Sequence, residues 1–305
     1  MTRVAAVDLG TNSTRLLVAD VDGDRVAEVA RRLAITRLGE RVDSTGRLLP
    51  EAMGRVRDVL YAFREEAGAL GAARALAVAT SAVREAENGP AFLAEVERET
   101  GFSTRLLDGR AEAELTFRGV RSGRSELVPD TLVLDIGGGS TEVTLGGPDG
   151  ISCTASLQAG CVRLTERFLH GDPPRADELD ACAAYVGSLL PPLSPRQAIG
   201  VAGTVTTAAA LDLGLERYEP EPVHGHRLSR AGARRVLGRL ARLPLPERRR
   251  VPALEPARAP VIVAGLVILC EVLDAYALPE IEASERDILH GAALAAAASE
   301  KGAPP

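Results

Sequence analysis

The sequence contains a single lysine, Lys301, and arginine supplies every other fixed positive side chain. A lysine-containing phosphate loop of the Walker type, a lysine Schiff base and a catalytic lysine in the core are therefore excluded. A site for an anion in this chain must instead use arginine side chains, main-chain N–H groups or a metal ion.

The chain is also poor in paired cysteines and in long apolar runs. Four cysteines occur without a Cys-x-x-Cys pair or the spacing of a metal site: Cys153, Cys161, Cys182 and Cys270. We interpret them as small buried apolar residues in a reducing, cytoplasmic protein. The longest uncharged apolar run, residues 260–270, is shorter than the roughly 18–20 residues that span a membrane. It predicts a buried helix with Pro260 in its first turn, and the strand-like start of the chain does not indicate a signal peptide.

The composition is that of a globular protein, with 46 % hydrophobic and 26 % charged residues. The net charge of −6 argues against nucleic-acid binding through general phosphate attraction, and nothing in the pattern predicts membrane binding. The sequence is also compatible with a homodimer. A length of 305 residues favours about two domains.

The order of the predicted elements repeats along the chain. Residues 3–34 predict three strands, after which helices and strands alternate up to about residue 120. A polar segment with glycine and proline follows at 121–130, and three strands, helices and a strand then begin again at residue 131. We therefore predict a duplicated α/β unit with an acidic turn between the first two strands of each copy.

The expected domains are residues 1–122 and residues 123–305. The C-terminal helix, at about 290–301, could pack back on the first domain.

Two stretches share one pattern: VDLGTNST at 7–14 and LDIGGGST at 134–141. In each, an aspartate ends an apolar run, and a glycine-containing turn and a Ser-Thr pair follow. A tight hairpin turn with glycine offers main-chain N–H groups to phosphate oxygens, and the aspartate can hold a hydrated Mg²⁺ that bridges those oxygens. Two such turns facing each other would hold a chain of phosphates from both sides. For either turn alone, an ordinary hairpin is the alternative.

This arrangement resembles the superfamily of acetate and sugar kinases, heat-shock chaperones and actin. Within it, the chain is similar to the short two-domain form of the exopolyphosphatase / guanosine-pentaphosphate phosphohydrolase (Ppx/GppA) family. The motifs that carry the resemblance follow the family order: AVDLGTNSTRLLV, TRLGERVDSTGRL, ATSAVREAENG, GRAEAELTFRGV, LDIGGGSTEV, GCVRLTERF, GVAGTVTT, VHGHRLS and ERDILHGAAL. The resemblance implies an α/β fold of two ribonuclease H-like (actin-like ATPase) domains that face each other across a phosphate-binding cleft.

The resemblance also implies the residues of the site. Asp8, Asp135 and Glu142 take the positions of the metal-side carboxylates, and Glu112 that of the catalytic base. The matched phosphate-binding positions are Asn12, Ser13, Arg84, Gly137, Gly138, Gly139, Ser140, Gly203 and Thr204. The alternative for both Arg84 and Glu112 is a solvated charge on a helix.

The chain departs from the family pattern around the base. Arg110 and Ala111 precede Glu112, and Glu114 stands where the family usually has an arginine, so both glutamates remain candidates. Residues two apart on a helix project about 200° from each other, so the two side chains cannot both reach one water molecule. The apolar Leu115 favours Glu112 as the one on the packed side.

Chemistry supports a metal ion and a hydrolytic reaction. Cleavage of a phosphoanhydride requires the terminal phosphoryl group to be held, its charge neutralised and a water molecule aligned. Asp8, Asp135, Glu142 and a glutamate base would place about four negative charges beside a polyanion, so Mg²⁺ or Mn²⁺ is expected between them.

We therefore expect a hydrolase that releases terminal orthophosphate from inorganic polyphosphate. The first alternative is hydrolysis of guanosine pentaphosphate, and the more distant ones are an ATP-dependent kinase and a non-catalytic phosphate or nucleotide sensor.

Other polar segments have weaker claims. His224 and His226 lack a third ligand at a fitting spacing, so we interpret them as a loop that flanks the cleft. The arginines at 248–250 predict a solvated loop, with a basic track for long polyphosphate as the alternative. Arg15 and Arg37 lie near the first turn and face either the cleft or solvent.

Overall fold

The structure is a computed structural model, and it describes residues 1–298 of the chain. Within it, the chain divides into two compact units. The first unit contains Met1–Ser125 together with the segment that begins at Arg286, and the second contains Glu126–Glu285. The division lies within the polar segment at 121–130.

The first unit is built on a five-stranded sheet. Its strands are β1 (Thr2–Leu9), β2 (Thr14–Asp22), β3 (Arg25–Ala34), β4 (Arg74–Ala79) and β5 (Ser103–Leu106). The strand order is β3-β2-β1-β4-β5, in which β1, β2 and β3 form an antiparallel meander and β4 and β5 run parallel to β1. The helices that follow these strands are α1 (Val42–Thr45), α2 (Pro50–Ala69), α3 (Ser81–Glu85), α4 (Gly89–Thr100) and α5 (Gly109–Arg121).

The second unit is built on a six-stranded sheet. Its strands are β6 (Thr131–Ile136), β7 (Thr141–Gly147), β8 (Gly150–Leu157), β9 (Gln197–Val201), β10 (Arg227–Ser229) and β11 (Glu280–Ala283). Its helices are α6 (Cys161–Phe168), α7 (Ala176–Leu189), α8 (Ala202–Asp212), α9 (Pro220–Val223), α10 (Arg230–Ala241), α11 (Leu245–Arg248) and α12 (Ile262–Ala275).

The second sheet repeats the plan of the first. Strands β6, β7 and β8 form an antiparallel meander, and β9 and β11 continue the sheet parallel to β6. The order β8-β7-β6-β9-β11 therefore matches β3-β2-β1-β4-β5, and β10 adds one antiparallel edge strand. This arrangement confirms the predicted α/β fold of two like domains and the hairpin between the first two strands of each.

The last helix, α13 (Ile288–Ala298), packs in the first unit against α5 and the sheet. Residues 299–301 of the predicted helix lie outside the described residues. Alternating residues of β1 divide between two apolar cores: Ala5, Val7 and Leu9 pack towards α2 and α4, whereas Val4 and Ala6 pack towards α13. The central strand is thus buried on both faces, as its continuous apolar run predicts.

Helix α12 is buried in the core of the second unit. It begins at Ile262, so the prediction that Pro260 lies in its first turn is wrong. The N–H groups of Val261 and Ile262 both donate to the carbonyl of Arg258, which gives the residues before the helix a turn of their own. Among residues 1–298, no helix has both the length and the apolar character needed to cross a membrane.

Two smaller expectations also fail. The strand predicted through Gly203 ends at Val201, because Ala202 adopts a left-handed backbone conformation with φ 62° and starts α8. All four cysteines are free thiols, but Cys153 is exposed because it lies on β8, the edge strand of the sheet.

Candidate functional site

The turn of the first hairpin, between β1 and β2, is closed by a hydrogen bond from Gly10 N to Ser13 O at 3.0 Å. The carbonyl oxygens of Thr11 and Asn12 are also used, since they accept from Gly39 N at 2.8 Å and Arg37 N at 2.9 Å. Within residues 1–298, no acceptor takes the N–H groups of Thr11 and Asn12. The turn thus keeps two main-chain donors available for a ligand.

The turn of the second hairpin, between β6 and β7, has the same closure, with Gly137 N donating to Ser140 O at 3.0 Å. Here the carbonyl groups of the turn accept hydrogen bonds from the start of α6: Cys161 N donates to Gly137 O and Val162 N donates to Gly138 O, both at 2.9 Å. In the part of the chain that the structure describes, the N–H groups of Gly138 and Gly139 have no acceptor.

The side chain of Arg163 completes this support, because its Nε donates to Gly139 O at 2.7 Å. With the carbonyls taken by α6, the second turn offers its free N–H groups as a nest for an anion.

Each turn depends on a glycine in the segment that supports it. A Cβ at Gly39 would overlap the side chain of Thr11, and a Cβ at Gly160 would overlap the main chain of Gly138. Sequence reasoning assigned no role to Gly39 or Gly160. The available signal was a glycine inside two of the motifs that resemble the family, TRLGE and GCVR.

Asp8 lies opposite Arg15 in the register of β1 and β2. The guanidinium donates twice to Oδ2 of Asp8, from Nε at 3.0 Å and from Nη2 at 2.7 Å. Burial raises the pKa of Asp8, and the charge and hydrogen bonds of Arg15 oppose that shift. Arg15 is therefore bound to the predicted metal-side carboxylate and does not lie free in solvent.

At the equivalent position of the second unit, Asp135 lies opposite Glu142 in the register of β6 and β7. Both carboxylates are buried, and Ser156 Oγ donates to Glu142 Oε1 at 2.7 Å. Opposite residues of an antiparallel pair face the same side, so two like charges lie close together. Such a pair of oxygen ligands fits a hard divalent cation.

Over residues 1–298, no three His, Cys, Asp or Glu side chains are grouped so that they could hold a metal ion. Magnesium in proteins commonly takes only one or two carboxylates and completes its shell with water and phosphate oxygens. The donor set of the second hairpin fits that mode of binding.

Arg84 and Glu112, predicted as a phosphate ligand and the base, lie together in the first unit. Arg84 Nη1 donates to Glu112 Oε2 at 3.2 Å and to Leu107 O at 2.7 Å. Glu112 is 7 % exposed, in the first turn of α5, which the side chain of Asp108 caps by accepting from Ala111 N. Neither Arg84 nor Glu112 is a solvated helix charge.

Glu114, the other candidate base, faces away from this pair. Its side chain is 50 % exposed and forms an ion pair with Arg110, one turn earlier, at 2.9 Å. Leu115 and Val120 are buried, so the packed side of α5 is the one that the sequence indicates. Of the two glutamates, only Glu112 contacts Arg84.

Gly203 and Thr204 lie in the second unit, in the first turn of α8. A Cβ at Gly203 would overlap the guanidinium of Arg258, so that arginine lies directly over the start of the helix. Arg258 also acts on the Cys161 thiol beside the second turn: burial raises the pKa of Cys161 to about 11, and the Arg258 charge opposes this. Sequence reasoning missed Arg258, which stands in a proline-rich stretch without a motif.

The remaining candidates have structural roles. Arg248 is buried and donates to the carbonyls of Leu240, Leu243 and Ala259, so for this residue the expected solvated loop or basic track is wrong. Buried carbonyl groups need hydrogen-bond donors, and the guanidinium of Arg248 supplies them here. Arg249 and Arg250 are exposed.

The two histidines of the HGH segment have protein partners. His226 Nε2 lies 3.0 Å from Asp212 Oδ2, and His224 Nδ1 accepts from Glu285 N at 3.2 Å. Arg37 supports the first turn through its main-chain N–H and has a left-handed backbone with φ 50°.

Comparison with known proteins gives consistent matches along the chain. The model of the Ppx/GppA phosphatase family matches residues 17–300. Exopolyphosphatase 2 of Mycobacterium tuberculosis is 36 % identical, over 97 % of this chain and 99 % of that protein.

Two crystal structures extend the comparison. An exopolyphosphatase from Cytophaga hutchinsonii superposes with a TM-score of 0.88 at 29 % identity, over 95 % of this chain and 96 % of that one. The Aquifex aeolicus member of the Ppx/GppA family gives a TM-score of 0.80 at 30 % identity, over 96 % and 97 %.

Proposed function

This chain belongs to the Ppx/GppA phosphatase family and is a phosphatase, and from that premise we propose that it releases terminal orthophosphate from inorganic polyphosphate. The observation that carries the proposal is the pair of like-built hairpins, each with two free main-chain N–H groups next to a buried aspartate. Oriented N–H groups at a glycine-bearing turn bind phosphate oxygens, whatever the length of the phosphate chain. The names of the relatives support polyphosphate as the substrate.

In this proposal, the phosphate-binding groups lie in the turns and on two short helices. Asn12, Ser13 and Gly137–Ser140 form the turns, and Gly203 and Thr204 add the start of α8. Arg84 presents a planar guanidinium with five donors, so it can keep Glu112 on one edge and offer other N–H groups to phosphate oxygens.

Glu112 would accept the proton of the attacking water as general base. Its position beside Arg84 brings the proton acceptor close to a group that can hold the phosphoryl oxygens. A hydrogen-bonded arginine also restricts the rotamers of Glu112, which keeps its oxygen aimed in one direction.

Asp135 and Glu142 would hold Mg²⁺ or Mn²⁺ at the second hairpin, and Asp8 stays the predicted metal-side carboxylate of the first hairpin. When bound, the ion would neutralise charge on the phosphate oxygens. We place the enzyme in the cytoplasm, where free thiols such as its four cysteines stay reduced.

The test is release of orthophosphate by the purified full chain from polyphosphate, guanosine pentaphosphate and ATP, each with Mg²⁺, with Mn²⁺ and with a chelator. We expect release from polyphosphate that stops in the chelator and returns with either metal. Release from guanosine pentaphosphate alone would show that this nucleotide, and not polyphosphate, is the substrate. Full activity in the chelator would show that the reaction needs no metal ion.

A further inference from the structure

A cluster of charged side chains connects the strands of the first hairpin and β3 to the start of α13. We refer to it as the Arg15 cluster, and its members are Asp8, Arg15, Glu28, Arg31, Asp287 and His290. Arg15 is at its centre, because the guanidinium donates to Asp8 and also, through Nη1, to Oδ2 of Asp287. Arg15 and Asp287 are 272 residues apart in the sequence.

Asp287 is held from several directions. Its Oδ1 accepts from Leu289 N at 3.0 Å, which caps the start of α13, and Arg31 Nη2 approaches Oδ2 at 3.4 Å. Burial alone would raise the pKa of Asp287, but the nearby charges of Arg15, Arg31 and His290 outweigh burial and hold the pKa well below its usual range. Asp287 is therefore an ionised carboxylate on the far side of Arg15 from Asp8.

His290 continues the cluster to β3. Its Nε2 lies 2.9 Å from Glu28 Oε1, and its Nδ1 lies 3.4 Å from Asp287 N. Burial lowers the pKa of His290, but Asp287 and Glu28 outweigh it, so the net pKa is raised. The start of α13 is thus bound to the sheet by charged side chains on two strands, Arg15 on β2 and Glu28 and Arg31 on β3.

The same segment is pressed against α5, the helix that carries Glu112. A Cβ at Gly119 would overlap the carbonyl oxygen of Asp287, and a Cβ at Gly291 would overlap the carbonyl oxygen of Leu115. Main chain therefore packs directly on main chain at both glycines, which allows little adjustment. The position of Asp287 relative to β1 and α5 is fixed by packing and by charge.

The equivalent position of the second hairpin carries a different residue. Glu142 replaces Arg15, and its oxygen accepts from Ser156 on the neighbouring strand β8. The residue opposite the aspartate is thus an arginine in the first hairpin and a glutamate in the second.

We propose that Asp287 is a positioning residue of the phosphatase site, which orients Asp8 at the first hairpin by holding Arg15 between two carboxylates. The inference rests on the proposed function, because it assumes that the first hairpin binds substrate. Asp287 itself contacts Arg15, Arg31, Leu289 and His290, and its link to Asp8 runs through Arg15.

The test compares Asp287→Asn, Arg15→Gln and the double variant, as full chains checked for folding by thermal denaturation. Asparagine keeps the acceptor for Leu289 N and removes the charge that holds Arg15. We expect kcat/KM for polyphosphate to fall about 10–100-fold, the usual effect of losing a group behind a metal-site ligand. The double variant should be no worse than Arg15→Gln by more than about twofold, because both changes break one chain of contacts.

Two matched controls come from the same strands. Asp20→Asn removes a carboxylate that Arg3 holds with two 2.8 Å hydrogen bonds at the opposite end of β1 and β2. Arg31→Gln removes the other arginine of Asp287 and leaves the contact between Asp8 and Arg15 in place. Both should keep kcat/KM within about twofold of the wild type, because each leaves the hydrogen bonds from Arg15 to Asp8 and to Asp287 in place.

A second readout needs no activity. Amide hydrogen exchange in Asp287→Asn and Arg15→Gln should quicken over residues 8–15 and stay unchanged over residues 135–142, which serve as the internal reference. Should wild type release no phosphate from any substrate, the proposed function fails, and the exchange comparison still decides whether Asp287 orders the hairpin.

Unchanged exchange at residues 8–15 together with wild-type kcat/KM in folded Asp287→Asn overturns the proposal. Additive losses in the double variant overturn it equally. If Asp287→Asn does not fold, Arg15→Lys replaces it: this variant keeps the charge but cannot span both carboxylates, and the same two outcomes apply.

Discussion

The two hairpins share one backbone and differ in the residue opposite the aspartate. Asp8 faces Arg15 in the first unit, whereas Asp135 faces Glu142 at the same register position in the second. The first pair is close to neutral and the second carries two like charges. The glycine-bearing turn is therefore common to both hairpins, whereas the residue opposite the aspartate differs, and the proposed cation belongs to the second hairpin.

The segments that hold the two turns also differ. The first turn is held by the loop at Arg37–Gly39, and the second by the start of α6. Gly39 packs on a threonine side chain, which can rotate, whereas Gly160 packs on main chain, which cannot. The second turn is thus built with less freedom than the first.

The largest effect should come from the proposed base, Glu112, which lies in the same unit as the Asp8–Arg15 pair. Glu112→Gln should lower turnover of polyphosphate by about 10²–10⁴-fold at saturating Mg²⁺, because the amide keeps the hydrogen bond to Arg84 but cannot take a proton. Glu114→Gln is the matched control, since its side chain is exposed on the same helix, and should change turnover less than about tenfold. The opposite ranking in folded variants would move the base to Glu114.

The charge difference between the hairpins leads to the next prediction. Glu142→Gln should raise the Mg²⁺ concentration needed for half-maximal activity by about 10–100-fold, since one of two adjacent oxygen ligands loses its charge. Ser156 can still donate to the new amide oxygen, so the fold should persist. Asp8→Asn should shift the requirement less, because Arg15 already offsets that carboxylate. A larger shift in Asp8→Asn would reverse the comparison.

The glycine supports predict a smaller effect, on stability. Gly160→Ala should lower the free energy of unfolding by about 1–3 kcal/mol, the usual cost of overpacking, because the new methyl group meets the main chain of Gly138. Gly39→Ala should cost less, and Thr11→Ser should restore it by removing the methyl group that the new side chain meets. Urea denaturation measures both. Equal costs without rescue would show that the two turns are equally rigid.

The smallest expected effect concerns the reactivity of the cysteine beside the second turn, Cys161. Burial raises the pKa of Cys161 to about 11 and those of Cys182 and Cys270 to about 12, whereas Cys153 is exposed. Iodoacetamide at pH 8 should therefore modify Cys153 alone in the native protein and all four cysteines in denaturant, as read by mass spectrometry. Gly160→Ala should add Cys161 if α6 moves from the turn, and native labelling of Cys161 in the wild type would contradict the packing described.

Local patterns in the sequence were sufficient for much of the fold and part of the site. The apolar runs with their glycine turns predicted both hairpins, and Leu115 indicated the side of α5 on which Glu112 is buried. These features depend on residues a few positions apart, whose geometry follows from strand and helix periodicity. The roles of Asn12, Ser13 and the other matched site residues stay predictions.

What the sequence by itself determined is the duplicated hairpin and the identity of the acids next to the ends of β1 and β6, Asp8 and Asp135. The tertiary structure alone decided which charges meet there, since Asp287 reaches Arg15 across 272 residues and Arg258 lies over Gly203. These contacts depend on which face of a buried strand a distant segment covers. They also depend on how closely the main chains of two segments approach each other at a glycine. No periodicity within either segment encodes them, because the energy that fixes them appears only when the segments pack.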